Sequence, residues 1–176
     1  MKLDAPELAA RQTELTARWH QVTPTATGDG FWRLLEENHL RNFSLWNEED
    51  VARRDDLGFE RVCQAKRNID RFNQERNNFA EEMDKAIVAA LNPPQTGLPR
   101  NSETPGMMID RLSILALKEF HMHEQTVRPE ASPEDFSRRA EGYLPGWFGL
   151  KVTAITPGRL DMEMPIRPEM LAPNGF

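Results

Sequence analysis

Apolar residues recur at three- and four-residue steps through roughly the first 125 positions and at two-residue steps only near the C-terminus. The first period is that of an amphipathic helix and the second that of a strand with one covered face. Asp4, Pro6 and Glu7 read as an N-cap, an early helical proline and an acid able to reach back to the cap, with Leu8, Leu15 and Trp19 on one face behind them. The turn-rich run Thr23 to Gly30 ends this helix. A second starts near Phe31 and carries the stripe Phe31, Leu34, Leu35, Phe43 and Trp46, with His39 and Asn42 beside it. The charged run Glu48 to Asp56 closes it, and Gly58 breaks the chain.

The third helix, Glu60 to Leu91, has the strongest period. Val62, Ala65, Ile69, Phe72, Arg76, Phe79, Met83, Ala86 and Ala90 form a heptad seam. At 1.5 Å per residue it would run roughly 50 Å. A chain of this size covers such a seam with difficulty, so self-association into a homo-oligomer through this helix is expected. Pro93, Pro94, Gly97 and Pro99 make a stiff loop. Thr104-Pro105 then opens a fourth helix, with a hydroxyl at the N-cap and proline at the first helical position. Its apolar face is Ile109, Leu112, Leu115 or Ala116, and Phe120.

Beyond Arg128 the texture changes. Ser132-Pro133 marks a new cap and Phe136 to Glu141 a short helix. Leu150, Val152 and Ala154 then alternate with polar residues, Thr156-Pro157-Gly158 makes a turn, and Leu160, Met162 and Met164 alternate with Asp161 and Glu163. This predicts a β-hairpin with one apolar face, which needs a helix laid on it. The sequence after the hairpin supplies none.

The expected fold is mainly α: an antiparallel bundle of about four helices over residues 1–128, a linker with a short helix over 129–141, and a hairpin appendage over 142–176. The chain has 176 residues and a net charge of −6, with 28 % charged residues and a mean hydropathy of −0.65. No general basic field attracts nucleic acid or anionic lipid, so neither is an expected partner. No apolar run is long enough to span a bilayer, and MKLDAPELAARQTEL lacks a signal-peptide core. The single Cys63 cannot form an internal disulfide, which makes it a core or boundary residue. A cytoplasmic protein is the expectation.

Three features carry candidate chemistry. The start of the fourth helix could take an anion on its free N–H groups, with Asn101 and Ser102 before it, Thr104 as its cap, and Asp110 and Arg111 one to two turns on. The plainer reading is a cap and nothing more. Arg76 sits in the third-helix seam, either with its head in water or turned into a polar site with Asn73 and Asn77. Glu36 and His39 form a Glu-x-x-His pair, but the second pair of a di-iron bundle is missing. The histidines are therefore expected to be solvated, and no metal or cofactor is expected.

The run NSETPGMMIDRLSILALKEFH (Asn101 to His121), with EENHLRNFSLWNEEDVARRDD and AKRNIDRFNQERN before it, resembles the bacterial family called domain of unknown function 4254. The resemblance implies a small all-helical protein. Some members of the family lie near genes for envelope sugar transfer, but no reaction is assigned to it. The positions that match its blocks are Asn42, Trp46, Asp50, Asp70, Asn73, Arg76, Asn77, Asn101, Ser102, Glu103, Thr104, Asp110 and Arg111. They raise the expectation of one pocket for a phosphate- or sugar-bearing small ligand, formed by Asn73, Arg76 and Asn77 together with Asn101, Ser102, Thr104, Asp110 and Arg111. The C-terminal run YLPGWFGLKVTAITPGRLDMEMPIRPEMLAPNGF resembles the first strands of a hotdog-fold acyl-CoA thioesterase of the phenylacetate type, with Ala172 in place of the usual Asn. That would make the hairpin an incomplete hotdog, with a CoA thioester as substrate only in a longer parent. No residue here is given a catalytic role, and the chain by itself is not expected to be an enzyme.

Overall fold

The computed structural model describes residues 3–94, 97, 101–128, 132–139, 141–156 and 159–168. They form two compact units, Met1–Phe120 and His121–Phe176. The division falls inside the fourth helix, ahead of the linker expected at 129–141. Among the described residues no helix is long and apolar enough to cross a membrane.

The first unit is built on four helices: α1 (Ala5–Trp19), α2 (Phe31–Ala52), α3 (Phe59–Leu91) and α4 (from Pro105, running on to Val127). A one-turn 3-10 segment, Asp55–Leu57, joins α2 to α3. Glu48 meets Arg61 and Asn68, while Arg41 meets Glu75, so α2 and α3 run in opposite senses. Gly106 lies against Ala80 and Asp110 against Arg76, so α4 opposes α3 as well. In contrast, α1 runs with α2, because Arg11 meets Glu36, Thr16 meets His39 and Trp19 meets Phe43. The segment from His20 to Gly30 makes this possible by carrying the chain back along the bundle.

Leu8, Leu15 and Trp19 of the α1 stripe are all buried, as their spacing predicts. The capping of α1 differs from expectation. Asp4 occupies the N-cap but its side chain makes no cap bond, and Pro6 stands at the second helical position. The α3 seam also shifts phase. Ala65 and Met83 are buried as expected, but in the second half the other buried residues are Ala80 and Ile87 instead of Phe79 and Ala86. A straight helix turns about 20° relative to a heptad in every seven residues, so a strict heptad seam drifts away from the covered face as the helix runs on. The stripe packs inside the chain, Ala80, Met83 and Ile87 joining Leu8, Leu35 and Ile109 in one apolar cluster. Of the seam that motivated self-association through α3, Ala65 and Met83 are buried within the fold.

A second cluster, Leu15, Trp19, Phe43 and Leu117, fills the other end. Between the two lies a buried polar layer of Gln12, Thr16, Asn38, His39, Asn42 and Ser113. Each of these stands one turn from an apolar member of its own helix, so the layer is a cross-section of the bundle.

The second unit begins in the last turns of α4. It continues with α5 (Pro133–Arg139), the one-turn α6 (Leu144–Trp147) and the antiparallel strands β1 (Lys151–Thr156) and β2 (Arg159–Glu163). Ser132 caps α5 by accepting a hydrogen bond from Asp135 N at 3.1 Å. The hairpin forms where the period of two predicts it, with two corrections. A register shift lies between Val152 and Ala154, so Ala154 and Ile155 are both half-buried while Met162 and Met164 are exposed. One extra residue in a strand inverts the alternation beyond it. The helix laid against the hairpin comes from before it: α5 packs on β1, and Ser137 Oγ accepts a hydrogen bond from Val152 N at 3.0 Å. The expected Pro157-Gly158 turn and Ala172 lie outside the described residues.

Candidate functional site

The site begins with the polar layer. Thr16 donates its hydroxyl to Gln12 O at 2.9 Å, so the contact between Thr16 Oγ1 and His39 Nε2, 3.0 Å, is donated by the ring. His39 Nδ1 is then the acceptor, and Ser113 Oγ donates to it at 2.7 Å. Ser113 Oγ in turn accepts from Asn42 Nδ2 at 3.0 Å. The imidazole is neutral and satisfied at both nitrogens, and burial, the largest influence, pushes its pKa down to about 4. The expectation of a solvated histidine is corrected here: His39 is fully buried.

Its neighbour Glu36 is also fully buried. It accepts from Thr27 N (2.6 Å), Gly28 N (2.9 Å), and Arg11 Nε and Nη2 (3.1 and 2.7 Å). Desolvation opposes its charge, but these donors outweigh it and lower its pKa. Glu36 therefore pins the returning segment to α2 and takes no part in a metal pair with His39. Among the described residues no group of three or more His, Cys, Asp or Glu is placed to hold a metal ion.

The layer opens to the surface on one side. Asp110 Oδ1 accepts from Asn38 and Asn42, at 2.9 and 2.8 Å, which turns Oδ2 towards Arg76 Nη1 at 3.5 Å. Arg76 Nη1 also donates to Asn42 Oδ1 at 3.2 Å, while its Nε, although buried, has no partner among the described residues. Arg76 is three-quarters buried. Its head is turned inward and stands at one side of a cavity of about 270 Å³. Asn42 and Asn73 line the same end. Leu45, Trp46, Ile114 and Leu117 form the apolar middle, and Glu49, Asp50 and Arg53 form the outer end. Arg53 reaches Glu49 and Asp50 at 3.2 and 3.4 Å.

Of the residues singled out in the sequence, Asn73 and Arg76 line this cavity, and Asp110 supports Arg76 from behind. Asn77 is exposed on another face of α3. The start of α4 is elsewhere, beside Asp84, which stands about 12 Å along α3 from Arg76 at 1.5 Å per residue. There Asp84 Oδ1 accepts from Gly106 N at 2.7 Å, so this helix end already holds a carboxylate of the protein itself. Thr104 Oγ1 accepts from Met107 N at 3.2 Å, the predicted cap. Asn101 and Ser102 are exposed, with Asn101 Oδ1 accepting from Glu103 N at 3.3 Å. Arg111 is exposed and paired with Glu103. The arrangement thus separates Asn101, Ser102, Thr104 and Arg111 from Asn73 and Arg76, and brings Asn42, Trp46 and Asp50 to the latter instead. Leu45, Glu49, Arg53, Ile114 and Leu117 carried no signal of their own in the sequence.

A larger hollow of about 600 Å³ lies between α1 and the start of α2, beside Arg11 and Glu36. Its walls include Glu7, Glu14 and Asp29, and its cation Arg11 is already committed to Glu36 and Glu14.

Residues 32–142 match the model of the family described as "Protein of unknown function (DUF4254)". The chain belongs to this family. All three of the blocks on which the resemblance rested lie within the matched span, as do all ten residues of the cavity. No curated protein and no solved structure matches the chain. The thioesterase resemblance of the C-terminal run finds no support in these comparisons, and the DUF4254 match ends where the hairpin unit's one-turn helix is about to begin.

Proposed function

We propose that the helical unit of this DUF4254 protein is a binding domain for a small organic ligand, received in the cavity between α2, α3 and α4. Arg76 takes the ligand's anionic or acceptor group. One observation carries the reading. Asn42, Trp46, Asp50, Asn73 and Arg76 come from two separated sequence blocks and two helices, yet they line one cavity. Its make-up also fits, since a few convergent polar groups on a mostly apolar wall are the usual composition of a small-molecule site. The phosphate- or sugar-bearing ligand expected from the sequence remains a candidate for this cavity. The α4 N-terminus is left out of the proposal because Asp84 occupies it. No observation favours the second reading, a fragment of an acyl-CoA thioesterase.

The test is a thermal-shift screen over inorganic phosphate, sugar phosphates, nucleotide sugars, CoA, and small carboxylic and amino acids. A ligand confined to the folded state stabilises it by about 2.7 kcal/mol at a hundred times its dissociation constant. At least one compound should raise the melting temperature of the native chain. Arg76→Gln and Trp46→Ala should each remove that rise, and Arg111→Ala should retain it. A flat response across the panel, or a rise that survives Arg76→Gln, overturns the proposal.

A further inference from the structure

The order of residues along the cavity restricts its ligand further. Along α2 the lining runs Asn42, then Leu45 and Trp46, then Glu49 and Asp50, each group one turn beyond the last. The centres of the first and last groups are about 11 Å apart along the axis at 1.5 Å per residue. Arg76 and Asn73 of α3 face the first group, and Ile114 and Leu117 of α4 complete the middle. One end therefore offers the guanidinium of Arg76 and the amide of Asn73, the middle is apolar, and the other end is acidic.

Charge balance selects among ligands that could fill this space. Arg76 is matched by Asp110, and Arg53 offsets only one of Glu49 and Asp50. The walls carry no surplus positive charge to neutralise a dianion such as a phosphate monoester. The ion pairs of Arg53 with Glu49 and Asp50 lie on the surface, where Arg53 is 72 % exposed. Such pairs contribute little and exchange readily for another cation. Arg76, whose buried Nε has no partner among the described residues, suits one carboxylate.

We infer that the cavity takes a small zwitterion with separated charges: a carboxylate on Arg76 and Asn73, an apolar chain along Trp46, and an ammonium on Glu49 and Asp50. This inference rests on the reading of the cavity as the binding site and names the chemical class of its ligand.

Isothermal titration with three probes of one chain length tests it: ω-aminohexanoate, hexanoate and hexylamine. Aminohexanoate should bind at least about tenfold more tightly than either single-charge analogue, one tenfold step being about 1.4 kcal/mol. In a Glu49→Gln/Asp50→Asn double variant the advantage of aminohexanoate over hexanoate should collapse towards one. These side chains are at the rim, and an unchanged circular dichroism spectrum confirms that the variant folds. Hexanoate binding as tightly as aminohexanoate, with Arg76→Gln abolishing both, overturns the zwitterion and leaves the Arg76 site standing. Tighter binding of a sugar phosphate than of any of the three also overturns it. Failure of every probe and of every compound in the thermal-shift panel overturns both readings.

Discussion

Acidification should destabilise this protein through His39. The ring is buried in the polar layer, donates from Nε2 to Thr16 and accepts at Nδ1 from Ser113. A proton on Nδ1 would set a second donor against the Ser113 hydroxyl and place a charge in a layer that excludes water. The folded pKa is accordingly about 4 against an ordinary 6.5. The sign follows from which state holds the proton. The unfolded chain binds it from about pH 6.5 downwards and the native one only near 4, so stability is full above 6.5 and is lost as the pH falls between the two values. At pH 5 the loss from this group is about 2 kcal/mol, since each unit of separation corresponds to roughly 1.4 kcal/mol. The assay is urea unfolding at a series of pH values for the native chain and for His39→Gln, which keeps hydrogen bonding without the titration. Glu36, whose pKa is lowered, also loses stability in acid, but it does so below the ordinary carboxylate range and in both proteins. The difference between the two curves therefore isolates His39. It should shrink by about 2 kcal/mol between pH 7.5 and pH 5. A difference that stays flat over that interval would refute the argument that a neutral, desolvated imidazole holds the layer.

Two further outcomes follow from the α4 contacts. A Cβ at Gly106 would stand 2.2 Å from the carbonyl oxygen of Ala80, which is backbone and cannot move aside. Gly106→Ala should therefore destabilise by about 1–3 kcal/mol in urea unfolding, although alanine is the better helix former, and a neutral or stabilising result would mean the helices do not approach so closely. Thr104→Ala should cost about 1 kcal/mol in the same measurement, as loss of an N-cap does, whereas Arg111→Ala should change stability by less than about 0.5 kcal/mol; equal costs would contradict the cap.

The positions of the helices were legible because each begins with a break or cap and carries an apolar stripe. Thr104-Pro105 and Ser132-Pro133 mark helix starts that the structure reproduces with side-chain bonds. A stripe identifies a face but not what the face meets. Phe79 belongs to the stripe and Ala80 stands about 100° round the helix from it, and only the packing of α3 against its partners decides that Ala80 is the buried one. The direction of α1 was hidden for a related reason, since turn residues at Thr23 to Gly30 end a helix without saying where the chain goes next. The polar layer escaped because Asn38, His39, Asn42 and Ser113 each look solvated when their partners lie some seventy residues away. Arg76 and Asn73 were visible as polar residues on a packed helix. Their partners at the cavity, Leu45, Ile114 and Leu117, read as ordinary core residues, and nothing local separates an apolar side chain that fills a core from one that walls a cavity.

The co-directional placement of α1 has a consequence for synthesis on the ribosome. Gln12 finds its bonding partner, Ile109 O, 97 residues further along, and Leu15 and Trp19 share their cluster with Leu117. The hairpin of α2 and α3 can close as soon as it emerges and can take α1 against it, but the covering of α1 is completed only when α4 has followed. At about 5–20 residues per second, the contacts of Gln12 with Ile109 and of Leu15 and Trp19 with Leu117 wait roughly 5–20 s for that partner. The first helix made is thus among the last to be fully enclosed, and the side of Leu15 and Trp19 that meets Leu117 stays open throughout that interval. Substitutions in α1 will act on the yield of folded protein during translation as well as on the stability of the finished fold.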